Sequence, residues 1–173
     1  LLLPSLNLRG LASAAVGDKA ANVIPTEATA SLDLRLVAGN DPERMLDLVE
    51  EHIRAQGYLI VRQPPDAATR RAHARIARVL REGGYPAART PMDSPIAGQV
   101  IAAARQVAGE ELLLVPGLGG SLPLYLFTEL LAAPAVIVPI ANHDDNQHAA
   151  DENLRLANLW YGVDLFASLL SME

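Results

Sequence analysis

Two stretches of this chain are apolar at every position: residues 112–115 (LLLV) and residues 135–140 (AVIVPI). A strand with one face in water alternates apolar and polar residues, because successive side chains point to opposite faces. A run with no polar position fits a sheet covered on both faces, and such sheets are mostly parallel, with helices packed on each side. Helical patterns surround both runs, at 96–107, 124–131 and 152–172. The C-terminal half is therefore expected to be an α/β layer with a mostly parallel sheet.

The N-terminal half reads differently. Residues 27–37 alternate cleanly, with Ala28, Ala30, Leu32, Leu34 and Leu36 on one face and Thr29, Ser31, Asp33 and Arg35 on the other. That is a half-buried strand. Residues 6–16 read as a second strand, ending at Gly17-Asp18. Asp41-Pro42-Glu43 opens a helix, with Asp41 as the capping residue and Pro42 at the first helical position. Met45, Leu46, Val49 and Ile53 form its apolar stripe, and Gly57 ends it. Residues 58–61 follow as a strand. Residues 67–82, rich in Arg and Ala and closed by Gly83-Gly84, read as a helix. Residues 85–95 carry three prolines and form a connector. A boundary near residue 90 is expected, dividing the chain into 1–90, resembling part of a two-layer α+β sandwich, and 91–173.

Composition excludes several classes. The net charge is −6 and aromatics make up 4% of the chain, so there is no basic, aromatic-rich surface for nucleic acid. The apolar runs are too short to span a bilayer, and residues 1–3 lack the charged start of a signal peptide. The chain contains no cysteine, which removes thiolate metal sites and fits a reducing compartment; the expected location is cytoplasmic. It begins with leucine and enters a strand almost at once, so a preceding segment is expected.

The densest chemistry is Asn142-His143-Asp144-Asp145-Asn146-Gln147-His148, followed by Asp151-Glu152-Asn153. It comes directly after the apolar run 135–140, and ligands of open α/β sheets bind at such strand ends. Histidine and carboxylate together suit a metal. The alternative is a polar loop that caps the last helix, with Asp151 at the capping position. His52 and His73 fall within helical patterns and are expected to face solvent. Gly117-Leu118-Gly119-Gly120-Ser121 lies between an apolar run and a helix. Such a turn lets a ligand approach the backbone, or simply serves packing. It is not a phosphate loop, lacking GK[ST].

Taken in order, these segments resemble the aminoacylase/carnosinase/carboxypeptidase G group of zinc metallopeptidases and amidohydrolases. Asn22-Val23-Ile24-Pro25 with Ala30-Ser31-Leu32-Asp33-Leu34-Arg35 is similar to that family's lid motif. Gly119-Gly120-Ser121-Leu122-Pro123 is similar to its GGSxP turn. Asp144-Asp145-Asn146-Gln147-His148 with Asp151-Glu152 resembles its DD..H…NE segment. The terminal helix with Asn158, Tyr161 and Gly162 is also similar.

The resemblance implies the C-terminal part of a zinc-peptidase-like α/β catalytic domain and an incomplete, ferredoxin-like α+β lid or dimerisation domain. It implies two zinc ions in the complete protein, with His148 as one ligand and Glu152 as a supporting residue beside it. It places Gly119, Gly120 and Ser121 at the substrate pocket. It gives Asn22 and Arg35 the substrate carboxylate, which a guanidinium fork binds bidentately. The substrate would be a dipeptide or an N-acyl or N-carbamoyl amino acid, and the partner a second copy held through residues 1–60.

Gly117-Leu118 stand where carnosinase-like members often have Arg-Glu, and Asp151 stands where asparagine is usual. The family's HxD motif, bridging aspartate, paired glutamates and general base all precede the lid and have no counterpart here. The chain alone is therefore expected to hold zinc weakly and to be inactive. Two other readings are a non-catalytic dimerisation or binding module, and an unrelated α/β enzyme with a mononuclear His–carboxylate site.

Overall fold

The computed structural model describes residues 2–172 and divides the chain into two compact units, Leu1–Ala87 and Ala88–Glu173. In the first, strands β1 (Ser5–Ala12) and β2 (Thr29–Arg35) form an antiparallel pair. Leu6 stands opposite Leu34 and Leu8 opposite Leu32, and the register then shifts by one between Leu8 and Gly10. Arg9 is the inserted residue, a β-bulge that increases local twist. β1 stops at Ala12, short of the expected 16. Beyond it the Ser13 hydroxyl donates to the Glu27 carbonyl at 3.0 Å, tying together the two ends of the long connection.

Helix α1 (Pro42–Ala55) forms as its sequence dictates. The Asp41 carboxylate accepts from the Arg44 backbone N–H at 2.7 Å, a cap that contributes about 1 kcal/mol. The expected stripe of Met45, Leu46, Val49 and Ile53 is half-buried. The most buried side chain of the helix is Glu50, only 2% exposed.

Strand β3 (Leu59–Val61) pairs in parallel with β4 (Ile76–Arg78), Leu59 opposite Ile76. The helix expected over 67–82 is therefore corrected. Its first turns exist as α2 (Ala67–Ala72), capped by Asp66, but His73 is already extended. The arginines and alanines favour helix individually, yet that preference amounts to tenths of a kcal/mol per residue. Pairing with β3 outweighs it, and α2 serves as the crossover that a parallel pair requires. His52 and His73 are exposed, as expected.

The second unit is organised by helices α3 (Pro95–Ala108) and α4 (Leu156–Leu170). Ser94 caps α3, and Pro95 takes its first position. Ala97, Val100, Ala103 and Ala104 form its buried stripe, and Leu165 of α4 is 1% exposed. The Ser168 hydroxyl donates to the Ala103 carbonyl at 2.9 Å and fastens the two helices.

The strands expected at 112–115 and 135–140 do not form; no ladder exists among the described residues of this unit. A strand exists only through a hydrogen-bonded neighbour, and this unit supplies none. Residues 135–140 are held by side chains instead. Thr90 Oγ1 donates to the Ala135 carbonyl at 2.7 Å, and Asn158 Nδ2 donates to the Ile140 carbonyl at 2.9 Å. Gly162 lies against the same segment: a Cβ there would stand 2.9 Å from Ile140 Cδ1. The helix expected at 124–131 is a short π-helical turn, Leu126–Leu130. Mixed α and β structure is retained overall, but the only parallel pair among the described residues is in the first unit.

Candidate functional site

The polar loop after residues 135–140 is the most structured candidate. Asn142, 6% exposed, sits at its base. Asn142 Oδ1 accepts from the Arg155 backbone N–H at 3.0 Å, and its Nδ2 donates to Asp144 Oδ1 at 2.8 Å. The Arg155 guanidinium ion-pairs with the other oxygen of Asp144. Asn142's amide, aided by the Arg155 charge, holds the Asp144 carboxyl below the usual aspartate range.

Above this base, the Asn153 backbone N–H donates to the Asp145 carbonyl at 2.8 Å, and the Gln147 N–H donates to Asp145 Oδ1 at 3.0 Å. His148 lies at the far end of the loop, exposed, with φ of 64°. Asn146 and Asp151 are also left-handed, at φ 56° and 60°. Asparagine, aspartate and histidine are the non-glycine types most often found in that region. The loop is therefore a series of tight turns, closed at its base by the hydrogen bonds above.

Asp151 does not cap the last helix. Helix α4 begins at Leu156, with Arg155 at the cap position and no side-chain cap of its own. The buried amide oxygen of Asn142 takes that role from across the loop. Asp151's carbonyl instead accepts from Asn153 Nδ2 at 3.0 Å. Glu152 is exposed beside it.

Gly119, Gly120 and Ser121 lie in irregular, exposed chain. No glycine of this stretch takes a positive φ, and a Cβ on Gly117 or Gly120 would meet nothing within 4 Å. The expected tight turn is thus an open segment leading to the π-helical turn. In the first unit, Asn22 is exposed, and Arg35 Nε donates to Asp33 Oδ2 at 2.6 Å at the end of β2.

A catalytic zinc normally takes three protein ligands. Among the described residues no three His, Asp or Glu side chains converge on a common point. His148 offers an imidazole, but the groups present do not by themselves fit a zinc ion. None of the helices among the described residues is long and apolar enough to cross a membrane.

Residues 12–172 match peptidase family M20/M25/M40, and the chain belongs to that family. It is 26% identical over 175 residues to the Cys-Gly metallodipeptidase DUG1 of Saccharomyces cerevisiae, covering 96% of this chain and 32% of that protein. It is 26% identical over 171 residues to the Cys-Gly metallodipeptidase DUG1 of Candida albicans, again covering 96% of this chain and 32% of the relative. The fold is similar to that of the M20 family metallo-carboxypeptidase Sso-CP2 from Sulfolobus solfataricus. The TM-score is 0.72 at 22% identity, over 98% of this chain and 36% of that one. The chain thus spans about a third of the length of these relatives.

The sequence reading assigned no role to Asn142, Asn153 or Arg155. Two asparagines bracket the histidine segment, and an arginine stands just before the helix; that bracketing is the signal available in the sequence.

Proposed function

We propose that this chain is part of a zinc-dependent metallopeptidase that hydrolyses the amide bond of a dipeptide or an N-acyl or N-carbamoyl amino acid. Cys-Gly is the first dipeptide to test, because the two relatives are named for it. The observation that carries the reading is His148, exposed at the far end of a braced loop within the matched region. A neutral imidazole is among the commonest zinc ligands.

In this proposal His148 is one ligand of a two-zinc site, and the remaining donors and the general base belong to the part of the relatives' length that this chain does not span. Glu152 supports the loop. Gly119, Gly120 and Ser121 border the substrate, which suits open, exposed chain. Asn22 and Arg35 hold the substrate carboxylate, and that carboxylate must compete with Asp33 for the guanidinium. Residues 1–90 form a lid, the complete protein is cytoplasmic, and it forms a homodimer through residues 1–60. The exposure of Leu6, Leu8 and Leu32, at 51%, 57% and 45%, supports that surface, since an apolar two-stranded sheet with open edges invites pairing.

The test measures zinc content and Cys-Gly hydrolysis by the complete protein, with and without a chelator. His148→Ala should lower zinc retention and reduce hydrolysis by about a hundredfold or more. The isolated chain should show no turnover. Hydrolysis that survives chelation, or a His148→Ala protein as active as the parent, would defeat the proposal.

A further inference from the structure

The loop 143–154 is closed at its neck by Asn142, by Asn153 and by the Arg155–Asp144 ion pair, and Asn142 is the buried member. An asparagine carries one acceptor oxygen and two N–H donors. Once buried, each needs a partner, and here every partner lies on the loop or at its exit. Oδ1 takes the Arg155 N–H, while Nδ2 reaches Asp144 Oδ1 at 2.8 Å and Asn153 Oδ1 at 3.4 Å. Asn153 then grips the loop from the other side. Its backbone N–H donates to the Asp145 carbonyl, and its Nδ2 donates to the Asp151 carbonyl at 3.0 Å.

Among the described residues, the hydrogen bonds toward the apex are Gln147 N–H to Asp145 Oδ1 and Ala149 N–H to the Asn146 carbonyl at 2.8 Å. Three of its non-glycine residues, His148 among them, are left-handed. Asn, His and Asp tolerate that region without requiring it, so a fixed neck is what selects it over ordinary φ values. We propose that Asn142 is a positioning residue: by clamping the neck it holds His148 in its left-handed backbone conformation and so sets where the imidazole is presented. The functional meaning rests on the role proposed for His148; the clamp itself stands on the geometry.

A simple helix cap would be a different device. Losing a cap frays the first turn of α4 and leaves the apex alone. Losing a clamp loosens the apex, which Asn142 does not touch. Two variants of this chain separate them. Asn142→Ala removes both the acceptor and the donors. Asn142→Asp keeps the acceptor for the Arg155 N–H but cannot donate to Asp144.

The measurement is amide hydrogen exchange by NMR, with the backbone shifts of His148 reporting its left-handed conformation. In Asn142→Ala, the amides of Gln147, Ala149 and Asn153 should exchange about tenfold faster or more. His148 shifts should move toward coil values, and mid-helix amides of α3 and α4 should stay protected. In Asn142→Asp the first turn of α4 should be restored and the apex should not. Should Asn142→Ala unfold the unit, Asn142→Asp carries the test alone. Apex protection equal to the parent's in the aspartate variant would overturn the clamp. His148→Asn, which keeps a residue type that tolerates the left-handed region, should leave loop protection unchanged while reducing zinc-dependent hydrolysis by the complete protein about a hundredfold or more, so the clamp and the functional reading fail separately.

Discussion

Replacing Glu50 by glutamine should remove the electrostatic lock that joins α1 to the β3–β4 layer. Glu50 is 2% exposed, yet it carries a carboxylate. Arg62 Nη2 donates to its Oε2 at 2.8 Å, Arg81 Nε to its Oε1 at 2.7 Å, and Arg54 Nη2 to its Oε2 at 2.9 Å. Arg62 follows β3, Arg81 follows β4, and Arg54 lies one turn along α1. Arg81 is also paired with Asp47 at 2.6 Å and with Glu43 at 3.1 Å.

Hydrogen bonds from Arg62 and then Arg81 bring the Glu50 carboxyl from 4.5 down to about 2, against an opposing effect of burial. At 1.36 kcal/mol per pKa unit, a depression of that size corresponds to roughly 3 kcal/mol as a ceiling. Arg54 and Arg62 are about half exposed, so solvent screens the attraction, and about 1–2 kcal/mol is the expected contribution. Because the folded pKa is the lower one, this stability is fully present above pH 4.5 and is lost as pH falls from there toward 2.

Urea unfolding followed between pH 7 and pH 2.5 measures it. Glu50→Gln should destabilise the chain at pH 7 and flatten the slope of stability against pH below 4.5. An unchanged acid slope, or a variant as stable as the parent at pH 7, would refute the reasoning.

Three further outcomes are expected. Gly162→Val should cost about 2 kcal/mol in thermal unfolding, because its Cβ would press on Ile140; Gly162→Ala should be nearly neutral, since gained helix propensity offsets a contact that Ile140 Cδ1 relieves by rotating. In the complete protein, Arg35→Lys should raise KM several-fold for substrates bearing a free carboxylate and leave their amides unaffected, a point charge replacing a fork; equal behaviour toward both forms counts against the assignment. Light scattering should find the complete protein dimeric, with charged substitutions at Leu6 and Leu8 shifting it toward monomer; a dimer insensitive to them is held through another surface.

Much of the first unit was legible in the sequence because its determinants are local. The alternation of residues 27–37 produced β2, and Asp41 with Pro42 set the start of α1. The helix expected at 96–107 formed as α3, although its Ser94 cap had been read as part of the connector. The histidine segment stood out as a metal candidate by its residue types, the choice of His148 came through resemblance, and its zinc role is still a proposal. The tertiary structure decided what depends on partners distant in the chain. Ile76–Arg78 became a strand because β3 lay beside it, although its composition favours helix. Residues 112–115 and 135–140 have the composition of buried strands and form no ladder, because a strand needs hydrogen-bonding neighbours that their own residues cannot provide. Glu50, a polar residue on a helix whose apolar stripe was plain, became its most buried side chain because three arginines, two of them beyond α1, converge on it. Asn142 looked like one more polar residue in a polar loop, and only folding, which brings Arg155 and Asn153 back to it, makes it the neck on which His148 stands.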